Sequence, residues 1–344
     1  MNGQPTEGTI DLHTHVVPRS LPIIARLADR DPRWATVRVD PSGAAADVIV
    51  SGRLFRRVRD VAFDFDARRR DAHATTRAGQ LLSAMPELFA AWAPATDAQQ
   101  YCSEFNDWLA TEIGQHEGFF HGLGIVPIQD PDRAAAALAG IADRGLLGVE
   151  VPSQPPGRNL HDPAYGAFFD EAQRLGLLVF LHSVGDVSDY PHPMTGTSAV
   201  FPARIGEAVA GLIAAGVLAT RPELRLLASH GGGGLPASLA RLDFVRDMTP
   251  AVREYLPEPA RAYARRIWFD TLLFDPALIA LLAQIVGVDR VVFGTDYPFL
   301  TGDVESVLSD PALPHGFAEA TQRSNPRRLL DELTRPRQTT GGTS

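Results

Sequence analysis

The sequence of 344 residues contains no lysine, and all 32 of its basic residues are arginines. This absence excludes a Schiff-base lysine, the lysine of a phosphate-binding P-loop and a carbamylated lysine that bridges two metal ions. Cysteine is almost as scarce, since Cys102 is the only one. The chain can therefore form neither an internal disulfide nor a metal cluster held by several thiolates.

Long apolar runs and positive charge are also lacking. No run of 18 apolar residues is present, which argues against a membrane-spanning helix, and the polar residues 1–7 do not resemble a secretory signal. The formal net charge of −9 argues against nucleic-acid binding, and we interpret Arg68, Arg69 and Arg70 as a solvated helix face. These absences favour a cytoplasmic enzyme that acts on a small molecule.

Short apolar runs alternate with helical patterns along most of the chain. The predicted strands lie at about 8–14, 79–83, 119–126, 147–151, 177–182, 226–230, 267–271 and 291–296. Such alternation is typical of parallel βαβ units. The length suits a (β/α)8 barrel of roughly 250 residues with insertions, and polar residues at the strand ends favour a closed TIM barrel over an open sheet.

The chain is predicted to form one domain over residues 1–337, followed by a disordered polar tail at 338–344. Residues from about 16 to 78 show little periodicity, and we interpret them as an insertion that covers one end of the barrel. We expect substrate contacts from Trp34 and Phe63 in this insertion, and from the loop at 184–200.

Five side chains that can bind a metal ion lie at or near the predicted strand ends. His13 and His15 are two residues apart on one strand, so their side chains point to the same side and can reach one ion. His182, His230 and Asp296 end three later strands, and all strands of a barrel deliver their C-terminal ends to one rim. Imidazole and carboxylate together suit zinc, iron, manganese or cobalt. The set therefore predicts a metal site, rather than five unrelated core residues or a silent barrel that only binds a partner.

Glu150 is an acidic residue inside the apolar strand predicted at 147–151. A buried carboxylate without a partner is unfavourable, so the residue requires a cation or an outward orientation. Because the chain has no lysine, three interpretations stay open: coordination of a metal ion, pairing with an arginine, and exposure to solvent.

Several segments resemble the amidohydrolase superfamily, and more closely the branch typified by aminocarboxymuconate-semialdehyde decarboxylase. The matching segments are residues 10–15, 180–182, 229–233 and 294–299, with 124–127 and 324–330 fitting as well. The resemblance implies one metal ion, held by His13, His15, His182 and Asp296. Members of this branch decarboxylate, hydrate double bonds, or hydrolyse C–C and lactone bonds, so the motifs do not select a reaction.

The resemblance also implies roles for two further residues. His230 would act as a catalytic acid or base, and Arg56 matches an arginine that binds a substrate carboxylate. The family branch usually lacks an acid at the position of Glu150, so this residue departs from its pattern. Family members are often dimers, and a homodimer is accordingly one expectation.

The number of metal ions separates two predicted functions. In a two-ion site, the ligands would be His13, His15, Glu150 and Asp296 on the first ion, and Glu150, His182 and His230 on the second. Such a site would activate a water molecule, with Asp296 carrying the proton to the leaving group. We therefore predict a metal-dependent hydrolase of an ester, thioester, lactone or amide with a carboxylate or a bulky apolar group, using zinc or iron, with manganese as a further candidate. The alternative, with one ion, is a non-oxidative decarboxylase of an aromatic or unsaturated carboxylic acid.

Overall fold

The computed structural model describes residues 8–116, 118–184, 192–300 and 303–335. The strands are β1 (Thr9–Val16), β2 (Thr36–Val39), β3 (Ala45–Val50), β4 (Arg53–Arg59), β5 (Arg77–Ala84), β6 (Phe120–Gly124), β7 (Gly148–Pro152), β8 (Leu178–His182), β9 (Arg225–Ala228), β10 (Trp268–Asp270) and β11 (Val291–Val292). The tail predicted at 338–344 lies outside the described residues.

The helices lie between the strands along the sequence and after the last strand. They are α1 (Pro22–Arg30), α2 (Phe65–Ala74), α3 (Ala95–Gly114), α4 (Pro131–Asp143), α5 (Gly166–Leu175), α6 (Pro193–Thr195), α7 (Phe201–Ala214), α8 (Val217–Thr220), α9 (Leu235–Met248), α10 (Pro250–Tyr255), α11 (Ala260–Ala264), α12 (Pro276–Val286), α13 (Phe317–Glu319) and α14 (Asn325–Thr334). Over the part of the chain that the structure describes, no helix is both long and apolar enough to cross a bilayer.

Within the described ranges, eight strands form one sheet in the order β1, β5, β6, β7, β8, β9, β10, β11, and each neighbouring pair is parallel. The sheet closes on itself, because the Leu12 amide donates to the Phe293 carbonyl at 2.9 Å and the His15 amide donates to the Tyr297 carbonyl at 2.7 Å. The predicted (β/α)8 TIM barrel is thereby confirmed.

Several of the predicted strands end earlier than the sequence suggests, and two of these carry predicted site residues near their ends. β9 stops at Ala228 and β11 at Val292, although we predicted strands as far as residues 230 and 296. His230 and Asp296 therefore lie just beyond their strands, in turns, with φ angles of 52° and 58°. Positive φ is rare for residues other than glycine and is concentrated at functional sites.

The insertion after β1 contains regular structure that its sequence did not reveal. After α1, strands β2, β3 and β4 pair antiparallel in a separate three-stranded sheet, and α2 leads back to the barrel at β5. On β3 only Ala46 and Val48 are buried, and the other residues of the strand are partly exposed. This alternation is too short to produce a clear period of two in the sequence of the insertion. This small sheet carries Arg56 on β4.

The interpretation of Arg68 as part of a solvated helix face is wrong. Its side chain is completely buried, and its pKa is lowered to about 10 by that burial. The guanidinium donates to the carbonyls of His15 at 2.8 Å and Val61 at 3.1 Å, and to Oε1 of Gln80 at 2.7 Å. These acceptors compensate the loss of water around a buried charge, and they tie α2 to the strand that carries His13 and His15.

Candidate metal centre

Four of the predicted ligands converge at the rim of the barrel. They are His13, His15, His182 and Asp296, and their ligand atoms all lie within 4.8 Å of one another. The Nε2 atom of His13 is 3.1 Å from Nε2 of both His15 and His182, and Oδ1 of Asp296 is 3.0 Å from Nε2 of His15. Residues separated by more than 280 positions in the sequence thus share one small volume, because the segment that follows β11 is hydrogen-bonded to β1, with the Asp296 amide donating to the His13 carbonyl at 2.9 Å.

The other nitrogen of each imidazole is held by an oxygen that can only accept a hydrogen bond. These oxygens are Oδ2 of Asp270 at 2.6 Å from His13, the Ala84 carbonyl at 2.9 Å from His15 and the Ser183 carbonyl at 2.8 Å from His182. Each Nδ1 therefore carries a hydrogen, and each ring turns its Nε2 toward the centre of the group, where a neutral imidazole offers a lone pair. This is the arrangement by which outer partners orient the histidines of metal sites.

The charge state of the group fits a divalent cation. Burial lowers the pKa of His15 and holds that of His182 well below its usual value, so both rings stay neutral. Burial also opposes the ionisation of Asp296, but the adjacent imidazoles of His15 and His13 hold the pKa of this carboxyl below its usual value. Converging lone pairs and a carboxylate attract a cation, and this mixture of N and O donors suits a divalent metal ion.

Asp270 is a functional residue that the sequence analysis missed. Besides the His13 ring, its carboxylate accepts hydrogen bonds from the amides of His230 at 2.9 Å, Gly231 at 2.7 Å and Leu272 at 3.1 Å. Burial tends to raise the pKa of Asp270, but these partners, the His13 ring foremost, lower it below the usual value. The residue thus stays ionised in the interior and fixes both the His13 ring and the turn that carries His230.

Glu150 lies outside the group of four. Its Oε1 is 3.7 Å from Nδ1 of His15, the nitrogen that faces away from the other ligands. Neither carboxylate oxygen has a well-formed hydrogen bond, and no arginine forms an ion pair with it within the described ranges. Burial raises the pKa of Glu150 well above its usual value, and the nearby Ser83 hydroxyl offsets only part of that effect.

His230 stands beside the group rather than in it. Its ring centre is 5.1 Å from that of His182 and 5.6 Å from that of His13. The Nε2 atom is buried and has no hydrogen-bond partner in the part of the chain that is described. Burial lowers the pKa of His230. This nitrogen is available to a bound molecule.

A cavity of about 610 Å³ opens onto the centre. It is lined by Arg56, Pro86, Glu87, His182, Ser183, Thr197, Ser198, Phe201, Pro202, His230, Gly233, Leu272, Leu273, Phe274, Leu278, Asp296, Phe299 and Leu300. The predicted contacts from Trp34 and Phe63 are wrong, because both side chains belong to the hydrophobic core. Of the loop predicted at 184–200, residues 185–191 lie outside the described part of the chain.

Arg56 supplies a cation to this cavity from the small sheet of the insertion. Its guanidinium lies 4.5 Å from the centre of the Phe299 ring, and that ring stacks on His15 with 5.6 Å between centres and 18° between planes. No carboxylate pairs with Arg56 in the portion of the chain that the structure describes. An aromatic ring thus links the guanidinium to the metal-binding group and leaves its hydrogen-bond donors for a ligand.

Comparisons with known proteins agree with this geometry. A family model described as Amidohydrolase matches residues 10–331. A 2-amino-3-carboxymuconate-6-semialdehyde decarboxylase of Dictyostelium discoideum is 29% identical over 308 residues, covering 86% of this chain and 83% of that protein. A gamma-resorcylate decarboxylase of Rhodococcus jostii is 31% identical over 217 residues, covering 56% of this chain and 65% of that protein.

A similar fold occurs in a dihydroxybenzoic acid decarboxylase of a Polaromonas species, solved with manganese and the inhibitor 2-nitroresorcinol. The TM-score is 0.72 at 21% identity, with 96% of this chain and 98% of the other covered. The prediction of a hydrolase is contradicted by these findings, because the similar curated proteins are decarboxylases. Glu150 was the sole reason to favour hydrolysis, and its carboxylate is not among the converging ligand atoms.

Proposed function

Because this chain belongs to the amidohydrolase family, we propose that it catalyses the metal-dependent, non-oxidative decarboxylation of a small aromatic or unsaturated carboxylic acid. The observation that carries the proposal is a single group of four ligands, beside which Glu150 lies apart. A two-ion hydrolytic site needs a bridging ligand between its ions, and Glu150 faces the wrong nitrogen of His15 for that role. The decarboxylase relatives support the same choice.

One divalent metal ion would be held by His13, His15, His182 and Asp296. When bound, the ion supplies a Lewis acid that anchors oxygen atoms of the substrate and stabilises their negative charge. We expect manganese, supported by its presence in the similar Polaromonas decarboxylase.

Arg56 is proposed to bind a carboxylate of the substrate. Its guanidinium is half-buried, lies against Phe299 and presents paired N–H donors that match the two oxygens of a carboxylate. Packing against the ring restricts the side chain before the substrate arrives, so less conformational entropy is lost on binding. The substrate would therefore lie with its carbon framework between Arg56 and His230.

His230 is proposed to deliver the proton that replaces the carboxylate. Its buried Nε2 has no partner within the described residues, and its backbone amide is fixed by Asp270. Transfer of a proton from this nitrogen to the unsaturated carbon forms the new C–H bond. The C–C bond to the carboxylate then breaks, its electron pair restores the unsaturated system, and CO2 leaves. His230 regains its proton from solvent.

The proposal is tested first by replacing His230 with glutamine in the metal-loaded protein. General acid catalysis contributes about 10²- to 10⁴-fold, so CO2 release should fall by about that factor. The metal content should stay unchanged, because His230 is not in the ligand group. The exposed His315 provides a matched control, and His315→Gln should keep full activity. Undiminished CO2 release by His230→Gln would remove its proposed role.

Metal stoichiometry tests the number of ions independently of activity. Freshly purified protein should contain a single equivalent of metal, measured by mass spectrometry, and release CO2 from hydroxylated benzoates. His13→Ala should lose both the metal and the activity. Two equivalents of metal together with ester hydrolysis and no CO2 release would refute the proposed function.

A further inference from the structure

A second cavity lies next to the one that contains the metal-binding group. Its volume is about 440 Å³, and the two cavities share Gly233, Leu273 and Leu278. The second cavity is further lined by Gly234, Pro236, Ala237, Leu281 and Ile285, with Arg261 and Gln284 as its polar side chains. A ligand that fills the first cavity can therefore extend along a common apolar wall into the second.

Large, exposed apolar side chains border both cavities. The exposed fractions are 61% for Phe274, 49% for Leu278, 44% for Leu281 and 39% for Leu300. Single exposed apolar residues are ordinary, but a contiguous group that borders a cavity marks a site where an apolar ligand binds. Phe274 and Leu300 line the first cavity and Leu281 lines the second, so the exposed group spans both.

The loop that carries this wall is held in a strained conformation. Phe274 has a φ of 58°, which is unfavourable for an aromatic residue. Residues with such strained backbone angles are concentrated at ligand-binding sites. Just before it, the Leu273 amide donates to the Thr271 carbonyl at 2.8 Å, and the Leu272 amide donates to Asp270. The carboxylate of Asp270, which orients His13, thus also holds the start of this loop through the Leu272 amide.

We propose that the substrate is a carboxylic acid that carries an apolar chain, and that the second cavity binds this chain. This inference rests on the proposed function, because it places the carboxylate end at Arg56 and the metal-binding group. The chain would cross the wall at Leu273 and Leu278 and end near Ala237 and Leu281. Arg261 and Gln284, which are both exposed, would meet the far end of this apolar chain.

The test compares two unreactive carboxylates, 4-methylphenylacetate and 4-heptylphenylacetate. Their carboxylate is attached to a saturated carbon that cannot be protonated before CO2 leaves, so binding is measured without turnover. Each methylene that is fully buried strengthens binding by about threefold to fourfold. Calorimetry on the manganese-loaded protein should therefore show the heptyl compound binding at least about 30-fold more tightly than the methyl compound, allowing for incomplete burial.

A substitution that fills only the second cavity tests whether the apolar chain of the ligand binds there. Ala237 is exposed on α9 and lines the second cavity but not the first, so Ala237→Trp should block the cavity while the protein folds. Affinity for the heptyl compound should then fall by about tenfold or more, with the methyl compound unchanged. Ala240 is exposed on the same helix and lines neither cavity, so Ala240→Trp is the matched control.

The outcomes separate this inference from the function on which it rests. Equal binding of the two compounds overturns the inference and leaves the decarboxylase proposal intact. Equal effects of Ala237→Trp and Ala240→Trp also overturn it, because the chain then lies elsewhere. A change of oligomeric state in Ala237→Trp, with both affinities unchanged, would assign the surface to contacts between copies. If even the methyl compound fails to bind, the proposed carboxylate site at Arg56 and the metal-binding group is refuted.

Discussion

Asp270 and Glu150 are both buried carboxyl groups on barrel strands near the metal-binding group, yet their surroundings are opposite. Asp270 on β10 accepts four hydrogen bonds and keeps a pKa below its usual value. Glu150 on β7 has no well-formed hydrogen bond to any residue that the structure describes, and its pKa lies well above the usual value. The partners of the first stabilise its charged form and let it position other residues, whereas burial disfavours the charged form of the second. Burial alone therefore does not assign a function to a carboxyl group.

Besides the His13 ring on β1, the donors that distinguish the two sites are backbone amides that follow strand ends. The turn after β9 directs the amides of His230 and Gly231 at Asp270, and both residues have positive φ. At Gly231 an added Cβ would lie 2.4 Å from the side chain of Leu273, so only glycine fits. The glycine run after His230 thus compensates the charge of Asp270. In the described ranges of the chain, no backbone amide donates to Glu150.

The largest expected effect comes from Asp270→Asn. The amide group cannot accept hydrogen bonds through its nitrogen, so the His13 ring and the His230 amide face a donor. Each buried donor left unsatisfied costs about 1–3 kcal/mol of stability. Loss of an outer partner of a metal-binding histidine lowers metal affinity by about 10- to 100-fold. Both losses are measurable, by urea unfolding and by metal titration.

Asp275 provides the control for this substitution. It is exposed, caps α12 through the amides of Ala277 and Leu278, and has no contact with the metal-binding group. Asparagine caps helices as well as aspartate does, so Asp275→Asn should leave metal affinity unchanged. If Asp270→Asn binds metal with the same affinity as wild type, the hydrogen bonds of Asp270 do not support the metal site, and the difference between Asp270 and Glu150 has no effect on metal binding.

Glu150→Gln is expected to have a much smaller effect. Because burial raises the pKa of Glu150 well above its usual value, glutamine replaces a carboxyl group whose charged form is disfavoured by an uncharged amide of similar shape. The variant should hold the same single metal equivalent as wild type and retain CO2 release of the same order. Loss of a metal equivalent would restore Glu150 as a ligand, and the exposed Glu223 gives the control variant Glu223→Gln.

The same variant yields a pH prediction with a definite sign. Above the usual pKa of 4.5, the folded protein keeps the proton on Glu150 that the unfolded chain has lost. The stability contributed by Glu150 is therefore complete below about pH 4.5 and declines as pH rises, by at most about 1.4 kcal/mol per pH unit. In metal-free protein, Glu150→Gln should gain stability relative to wild type between about pH 5 and 7. A difference independent of pH would mean that Glu150 is ionised in the fold.

The sequence predicted those features that depend on local spacing and strand order. His13 and His15 share a side because they are two apart on one strand, and their Nε2 atoms are 3.1 Å apart. His182 ends β8 as predicted, so the barrel order alone brings it to the same rim. The fold and the convergence of the ligand set therefore followed from periodicity and from the resemblance to a known family.

Features that depend on distant partners were not predictable in the same way. Asp270 had the same signal as Glu150, an acid in an apolar strand, but two of its donors lie in the turn that begins at His230, 40 residues away, and a third is the His13 ring on β1. Arg68 sits in a triple arginine that looks like a surface, and its burial depends on carbonyls of β1 and of the insertion. The position of a charged residue in a sequence pattern does not reveal whether the fold places hydrogen-bond partners around it.

Ser83→Ala is the smallest predicted effect, and it tests how His15 is held. The Ser83 hydroxyl donates to the Thr14 carbonyl at 3.1 Å and lies 3.1 Å from Nδ1 of His15, which also faces the Ala84 carbonyl at 2.9 Å. The carbonyl is the shorter partner and remains in the variant, so the ring should keep its orientation. Loss of one hydrogen bond should lower stability by about 0.5–1.5 kcal/mol, with metal affinity reduced by less than the tenfold typical of a lost outer partner. A loss of metal affinity as large as that of Asp270→Asn would mean that the hydroxyl between His15 and Glu150 positions the ring, and the region of Glu150 would then support the metal site as Asp270 does.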